Sequence, residues 1–448
     1  MDLVEKDLRY LWHPFTQQQL WGHGDPVLVI DRAEGFHLID VAGKRYLDGV
    51  SSLWCNVHGH RVPELDDAIR AQLDKVAHST LLGLSQTEAI LLAEELIAVA
   101  PPGLSRVFYS DAGATAVEVA LKMAVQFWQQ SGQPQKRKLL TLGEAYHGDT
   151  VGALSLGFSS TFHRHFRHLA FEVIQVPPPH CYRCPFGQTE SQCQRECQQH
   201  MLDAIATHAG ELAAVVMEPV MQGAAGMFAQ PDGYVRAVAE ACRRHDVLLI
   251  CDEVATGFGR TGALWACTRE DVSPDILCVA KGLSGGYLPV AATLTTERIY
   301  NAFLGTPAEG KTFFHGHTFT GNALGCAVSR ASLRLLLQRV LPTLPTRVQN
   351  LTGQLDALRA LPHVGDIRQR GLMVGIELVR NKVAREPYPA EERWGHRVCM
   401  EARKHGVIIR PLGNVVVLMP APAMPEDLLT QLVDVTRRSI QAVTEGVA

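Results

Sequence analysis

Several things missing from this sequence narrow its function. No apolar run in its 448 residues approaches the ~18 needed to span a bilayer, and the charged opening Met1–Tyr10 leads into no secretory apolar segment with a cleavage site. A soluble, cytoplasmic protein is expected. Excess charge of one sign is also missing. With 42 basic and 46 acidic residues the net charge is −4, so nothing draws the chain to nucleic acid or to an anionic membrane. Internal repeats and low-complexity segments are absent. The eleven cysteines cannot all pair within one chain, and most are expected as reduced thiols. What is present is ample apolar material, 46% of residues against 20% charged, in a length that suits two domains.

The chain is organised around the stretch from Leu248 to Lys281. LLICDEVATGFGRTG reads as a buried strand delivering two carboxylates into a glycine-rich turn, and a second apolar run, Ile276 to Ala280, ends in Lys281. A lysine directly after apolar residues is easily desolvated. A desolvated ammonium loses its proton more readily, which makes the amine a nucleophile suited to carbonyl chemistry.

The segments before it supply partners. Val27–Ile30 and Phe36–Val41, with turns at Gly35 and Ala42-Gly43, read as short antiparallel strands of a separate small sheet. Trp54 opens a Gly/His-rich loop, where it can pack in a core or face a ligand. Helical patterns cover Pro63–Ala77 and Thr87–Val99. A strand at Val107–Tyr109 then meets a helix that Ser110 or Asp111 can cap, so Gly113, Ala114 and Thr115 offer backbone N–H groups to an anion; on this stretch alone the signal is weak, since close packing is the commoner reason for small residues there. Tyr146 follows the strand Lys138–Leu142, and Glu218 follows Leu212–Met217. A helix at Gly233–His245 precedes the central stretch. Strands alternating with helices from about 105 to 295 imply a mostly parallel sheet with ligands at the carboxyl ends of its strands.

Later segments add less regular candidates. Thr318, Thr320, Gly321 and Asn322 precede a helix at Ala323–Gln338, as caps or as a second phosphate-suited terminus. A helix at Val348–Leu358 follows. Two strands then surround the turn Pro411–Asn414, and Arg410 ends the first, either solvated or serving as a carboxylate fork. Cys181, Cys184, Cys193 and Cys197 form C-x2-C-x8-C-x3-C, open to structural zinc or to free thiols.

Strand alternation sends Asp252 and Val254 to one side, where an acid and an apolar contact can meet one flat ring. Pyridoxal phosphate needs both, together with a phosphate cradle and a lysine for its aldehyde. LLICDEVATGFGRTG, the 29-residue step from Asp252 to Lys281, EPVMQG and HTFTGN together resemble the class III (ornithine-type) aminotransferases of fold type I, over essentially the whole length. Within that family LWHPFTQ, SSLWCNVHGH, AYHGDT, FFHGHTFTGN and VIIRPLGNVVVLMP are similar to the branch that aminates 8-amino-7-oxononanoate to 7,8-diaminononanoate in biotin biosynthesis.

The resemblance implies an α/β fold. A large cofactor-binding domain (61–335) has a mostly parallel sheet flanked by helices, and a smaller α+β domain is assembled from both termini (1–60 and 336–448). It implies that Lys281 bonds the cofactor aldehyde and shuttles the proton, Asp252 pairs with the ring nitrogen, and Tyr146 and Val254 contact the two ring faces. Gly113, Ala114 and Thr115 would bind the phosphate, with His317 and Thr318 arriving from the second subunit of a homodimer. Phe15, Trp54, Tyr146, Lys281, Gly316 and Arg410 would line the substrate site, Arg410 taking the carboxylate. S-adenosylmethionine is the expected amino donor. Lysine is the alternative, because Phe15 stands where users of S-adenosylmethionine typically carry tyrosine, and because HSTLLG, LPHVGDIRQ and EPYPAEER resemble lysine users. Rival readings are another class III ω-amino-acid or diamine transaminase and, outside catalysis, a metal-binding scaffold using the four cysteines.

Overall fold

The computed structural model describes residues 1–157 and 162–446. Its largest sheet has seven strands, in spatial order Leu104–Ser110, Ala291–Thr296, Ile276–Val279, Leu248–Asp252, Leu212–Met217, Lys138–Leu142 and Ile174–Val176. Ala291–Thr296 runs antiparallel to both neighbours, and the remaining pairs are parallel. The runs LAAVVM, LLICD and ILCV are buried at every position, as strands covered on both faces must be. Alternation divides their side chains between two apolar layers. Leu249, Cys251, Leu277 and Val279 enter one cluster; Leu248, Ile250, Ile276 and Cys278 enter the other, with Val117, Ala120, Leu121 and Ala124 of the helix Gly113–Gln130. By the same alternation Asp252 leaves its strand on the side of that helix.

The two ends of the chain share a sheet. Ile30–Glu34, His37–Asp40 and Arg45–Asp48 are antiparallel neighbours, and Val407–Ile408 joins them in parallel, Val407 opposite Leu47. A second sheet orders Val364–Arg370, Met373–Asn381, Val415–Leu418 and Arg410–Leu412. Helices Leu344–Arg359, Trp394–Lys404 and Glu426–Glu445 close this part over a core that includes Leu355, Ile376, Val398, Val416 and Leu432.

Pairing in the first of these small sheets begins later than the apolar pattern suggests. The turn at Gly35 (φ 56°) sets Ile30–Glu34, not Val27–Ile30, opposite His37–Asp40. An edge strand with one solvated face needs no apolar run, which hid the polar segment Asp31–Glu34. The helix expected over Pro63–Ala77 ends at Leu73. Among the described residues no helix is long and apolar enough to cross a membrane.

Candidate active site

Lys281 sits where the strand Ile276–Val279 ends, on backbone few residues adopt: φ is 38° at the lysine, and Ala280 before it has φ −160°, ψ −139°. Such strain persists only where the surroundings over-determine it, and it aims one side chain. Burial lowers the lysine's pKa from its usual range; nearby Arg260 adds to this, while Asp252 and Glu218 oppose it. The amine is therefore easier to deprotonate than a surface lysine.

Asp252 is 3% exposed. Its Oδ1 accepts the Val254 N–H at 3.0 Å, and its Oδ2 lies 2.7 Å from Nδ1 of buried His147. Burial works against a charge on His147, but the Asp252 carboxylate prevails and holds its pKa above the ordinary value. His147 was not singled out from sequence. It adjoins Tyr146 yet pairs with a residue 105 positions away, and no local pattern signals that. Glu253, the second carboxylate of the strand, turns away and caps backbone instead, accepting the N–H groups of Ala266 and Cys267 at 2.6 and 2.8 Å.

The helix Gly113–Gln130 begins beside Asp252. Its first internal bond at the N-terminus, Ala116 N–H to Ala112 C=O, leaves the N–H groups of Gly113, Ala114 and Thr115 directed out of the helix end. Ala112 occupies the cap position expected for Ser110 or Asp111. The Thr115 hydroxyl accepts the Ala112 N–H at 3.0 Å and donates to Asp111 Oδ1 at 2.9 Å, so Asp111 is drawn sideways out of the capping role. A Cβ on Gly113 would stand 2.5 Å from Val254 Cγ1, and one on Gly148 would stand 2.4 Å from Ala114 Cβ. These two glycines let the strand end and the Tyr146 loop close on the cradle. Outward N–H groups, a neighbouring carboxylate, an apolar contact and a desolvated lysine are the set that a phosphorylated, cationic aldehyde ring requires, and these residues fit it.

Tyr146 lies opposite, with its hydroxyl donating to Asp149 Oδ2 at 2.7 Å and its N–H to Glu218 Oε1 at 3.1 Å. Glu218 is buried, and burial raises its pKa to about 7, with the Asp252 charge adding to the effect. Trp54 reaches Lys281 from the N-terminal segment. Its ring centroid is 5.5 Å from Lys281 Nζ. Phe15 reaches the same wall indirectly: it packs edge-on to Phe162 at 6.0 Å, and Phe162 packs against Tyr146 at 6.4 Å.

Other expected residues stand further out. Arg410 opens the strand Arg410–Leu412, exposed and with no ion-pair partner among the described residues. Gly316 and Thr318 are exposed on the strap 311–321, which lies along the helix Gly113–Gln130 through Gln126 to Thr312 O (3.2 Å) and Lys122 to His315 (3.1 Å). That course puts His317 Nδ1 3.0 Å from Asp111 Oδ1 of its own chain, a contact that the expected placement in a second subunit did not include.

Of the two readings open for the four cysteines, the structure describes free thiols. Among the described residues no three metal-ligating side chains gather around a common point. Cys197 lies on the buried face of the helix Glu196–His208 with Met201 and Ile205, whereas Cys181 and Cys193 are exposed. Burial pushes the Cys197 thiol up to about 11, and the neighbouring Cys181, Cys193 and Cys184 add to the effect.

Fold and site together define an aminotransferase. The chain belongs to the aminotransferase class-III family, whose model matches residues 21–440. Pyridoxal phosphate is accordingly its cofactor. Among its relatives, the adenosylmethionine-8-amino-7-oxononanoate aminotransferase of Geobacter sulfurreducens is 52% identical over 446 residues, 99% of this chain and 98% of that one. The crystal structure of the enzyme of that name from Methanocaldococcus jannaschii superposes with a TM-score of 0.94 at 44% identity, covering 98% of this chain and 99% of the other. An amine transaminase from an uncultivated Pseudomonas species, solved with pyridoxal phosphate bound, gives 0.91 at 34%, covering 98% and 99%.

Proposed function

We propose that this aminotransferase moves the amino group of S-adenosylmethionine onto 8-amino-7-oxononanoate, giving 7,8-diaminononanoate in biotin biosynthesis. The observation that carries the reading is the desolvated Lys281, aimed by strained backbone into a pocket with Asp252 on one side and Trp54 above it. Full-length similarity to relatives named for this donor and acceptor supports the choice of substrates.

When bound, the cofactor supplies an aldehyde that captures amines and a cationic ring that withdraws electrons from the neighbouring carbon. The chain's residues do the rest. The N–H groups of Gly113, Ala114 and Thr115 bind the phosphate. Asp252, oriented by His147, holds the proton on the ring nitrogen. Tyr146 and Val254 fix the ring between them. Lys281 Nζ would bond the cofactor aldehyde and, as the free amine, would carry a proton from the donor carbon to the cofactor's carbonyl carbon and, in the second half-reaction, from there to the acceptor carbon. Arg410 receives the acceptor's carboxylate. Trp54, Phe15 and Gly316 shape the apolar remainder.

A homodimer completes this site, with His317 and Thr318 of one copy near the phosphate of the other. The apolar side chains left outside support it: Trp12 is 89% exposed, Leu82 88% and Phe314 87%. A cytoplasmic location fits the free thiols.

The test is a half-reaction. Protein in its pyridoxal form is mixed separately with S-adenosylmethionine and with lysine, and conversion to the pyridoxamine form is followed by absorbance. Conversion with S-adenosylmethionine, reversed by 8-amino-7-oxononanoate, is expected. Conversion with lysine alone overturns the donor, and failure of 8-amino-7-oxononanoate to restore the pyridoxal form overturns the acceptor.

A further inference from the structure

The loop that carries Trp54 has a backbone its sequence does not favour. Ser51, Ser52 and Trp54 have φ of 52°, 61° and 65°, and Ser52 combines its φ with ψ −83°, outside the ordinary left-handed region. None is glycine, so something must hold the loop. Ser51 is tied through its hydroxyl to Met419 O and Arg260, and Ser52 is held by Asp48, the last residue of the strand Arg45–Asp48 and only 3% exposed. Its carboxylate takes the Ser52 N–H through both oxygens, at 2.9 and 2.8 Å, with the Ser52 hydroxyl at 3.3 Å. The other direction of Oδ2 is filled by His60 Nε2 at 3.0 Å. His60 Nδ1 faces Asn56 Nδ2 at 3.5 Å, an amide donor, which fits Nδ1 accepting there while Nε2 donates to Asp48. The loop is thus pinned at Ser52 from one side, with Trp54 two residues on and its ring over Lys281.

We propose that Asp48 and His60 are the positioning pair that sets where the Trp54 ring stands above Lys281, and so determine how well the pocket takes its long-chain keto-acid acceptor. The pair acts through Trp54, two residues beyond the Ser52 N–H that Asp48 holds. The substrate half of this inference rests on the function proposed above, while the placement of the ring does not.

Both halves are testable on the loaded enzyme. Asp48→Asn keeps the size of the side chain but weakens its grip on the Ser52 N–H and disturbs the bond from His60. It is expected to raise the KM for 8-amino-7-oxononanoate on the order of tenfold, a small displacement of a positioning group being enough, while the KM for the donor and the retention of cofactor hold. In a Trp54→Ala background the same substitution should change that KM by less than about twofold, because the group it acts through is gone. His60→Gln, which leaves the Asp48–Ser52 bonds, should give a smaller change in the same direction, and it is the variant to read if Asp48→Asn does not fold. Independently of any substrate, quenching of Trp54 emission on loading with pyridoxal phosphate, taken as the difference between wild type and Trp54→Phe, should weaken in Asp48→Asn and His60→Gln. Equal KM effects with and without Trp54, or variants that lose thermal stability with quenching and KM unchanged, overturn the pairing. If wild type does not turn over the acceptor but the quenching still shifts, the substrate assignment fails and the positioning role stands.

Discussion

The two halves of the proposed active site are held in different ways. The cofactor half is made of ends of regular elements: Asp252 at a strand terminus, Lys281 just beyond another, and the cradle in the first turn of an eighteen-residue helix. The proposed substrate half is made of loops and single strand ends, with Trp54 on strained backbone, Phe15 also at positive φ (52°), and Arg410 exposed with no ion-pair partner among the described residues. Elements locked by the central sheet suit groups whose geometry every cycle requires. Loops pinned by a few polar contacts suit a pocket that must fit one acceptor among many.

Substitutions in each half put this contrast to the test. The largest effect belongs to Lys281→Ala, which should abolish turnover and remove the visible absorbance of the loaded protein without unfolding it, as spectra and circular dichroism would report. Surviving turnover would remove the lysine from its central place. Next comes Gly113→Ala. The new Cβ would stand 2.5 Å from Val254 Cγ1, so the cradle must shift at a cost of about 1–3 kcal/mol. Faster loss of cofactor in dialysis is expected, with recovery when Val254→Ala is added; equal loss in the double variant would show that the rigid half does not depend on this contact.

Glu218 lies between the halves and gives the pH test. Its pKa is raised from 4.5 to about 7 by burial, so the folded state holds a proton that the unfolded state has released. Any stabilising share of the neutral carboxyl is complete below pH 4.5 and is lost as pH climbs toward about 7. Glu218→Gln, which stays neutral, should therefore gain in melting temperature relative to wild type at pH 8 compared with pH 4.5. A difference independent of pH would mean that Glu218 is not protonated in this way. The smallest change is expected for Phe15→Tyr: a restored hydroxyl bond worth about 1 kcal/mol net corresponds to roughly fivefold in the KM for S-adenosylmethionine. An unchanged KM would place Phe15 outside the donor's reach.

How much of this was legible in the sequence follows the same division. Strands such as Lys138–Leu142 and Leu212–Met217 stand where their apolar runs placed them, because strands covered on both faces declare themselves by composition alone. Asp252, Val254 and the cradle were readable because the side-chain period of a strand and the free N–H groups of a helix start are local facts. His147, Asp48 and Asp149 were not readable, since each acts through a partner that only the fold supplies. The cysteine spacing left zinc and free thiols both open because spacing does not register helix phase, and the helix Glu196–His208 turns Cys197 inward. Arg260 went unremarked for a similar reason. It is a 1% exposed guanidinium bonded to Pro420 O and Asn56 O, both at 2.7 Å, and to the Ser51 hydroxyl at 3.1 Å, with no carboxylate to announce it.

The parallel pairing of Val407 with Leu47 also bears on how the protein is made. A ribosome adding about 5–20 residues per second needs roughly twenty to seventy seconds to travel from one strand to the other. Throughout that interval the first three strands of the small sheet have a vacant edge, and the Trp54 loop has yet to meet Met419 O, which Ser51 Oγ will bond at 2.7 Å. The half of the site that chooses the substrate is thus the last to be completed during synthesis, and the nascent chain must keep that edge from pairing with a neighbour until its own tail emerges.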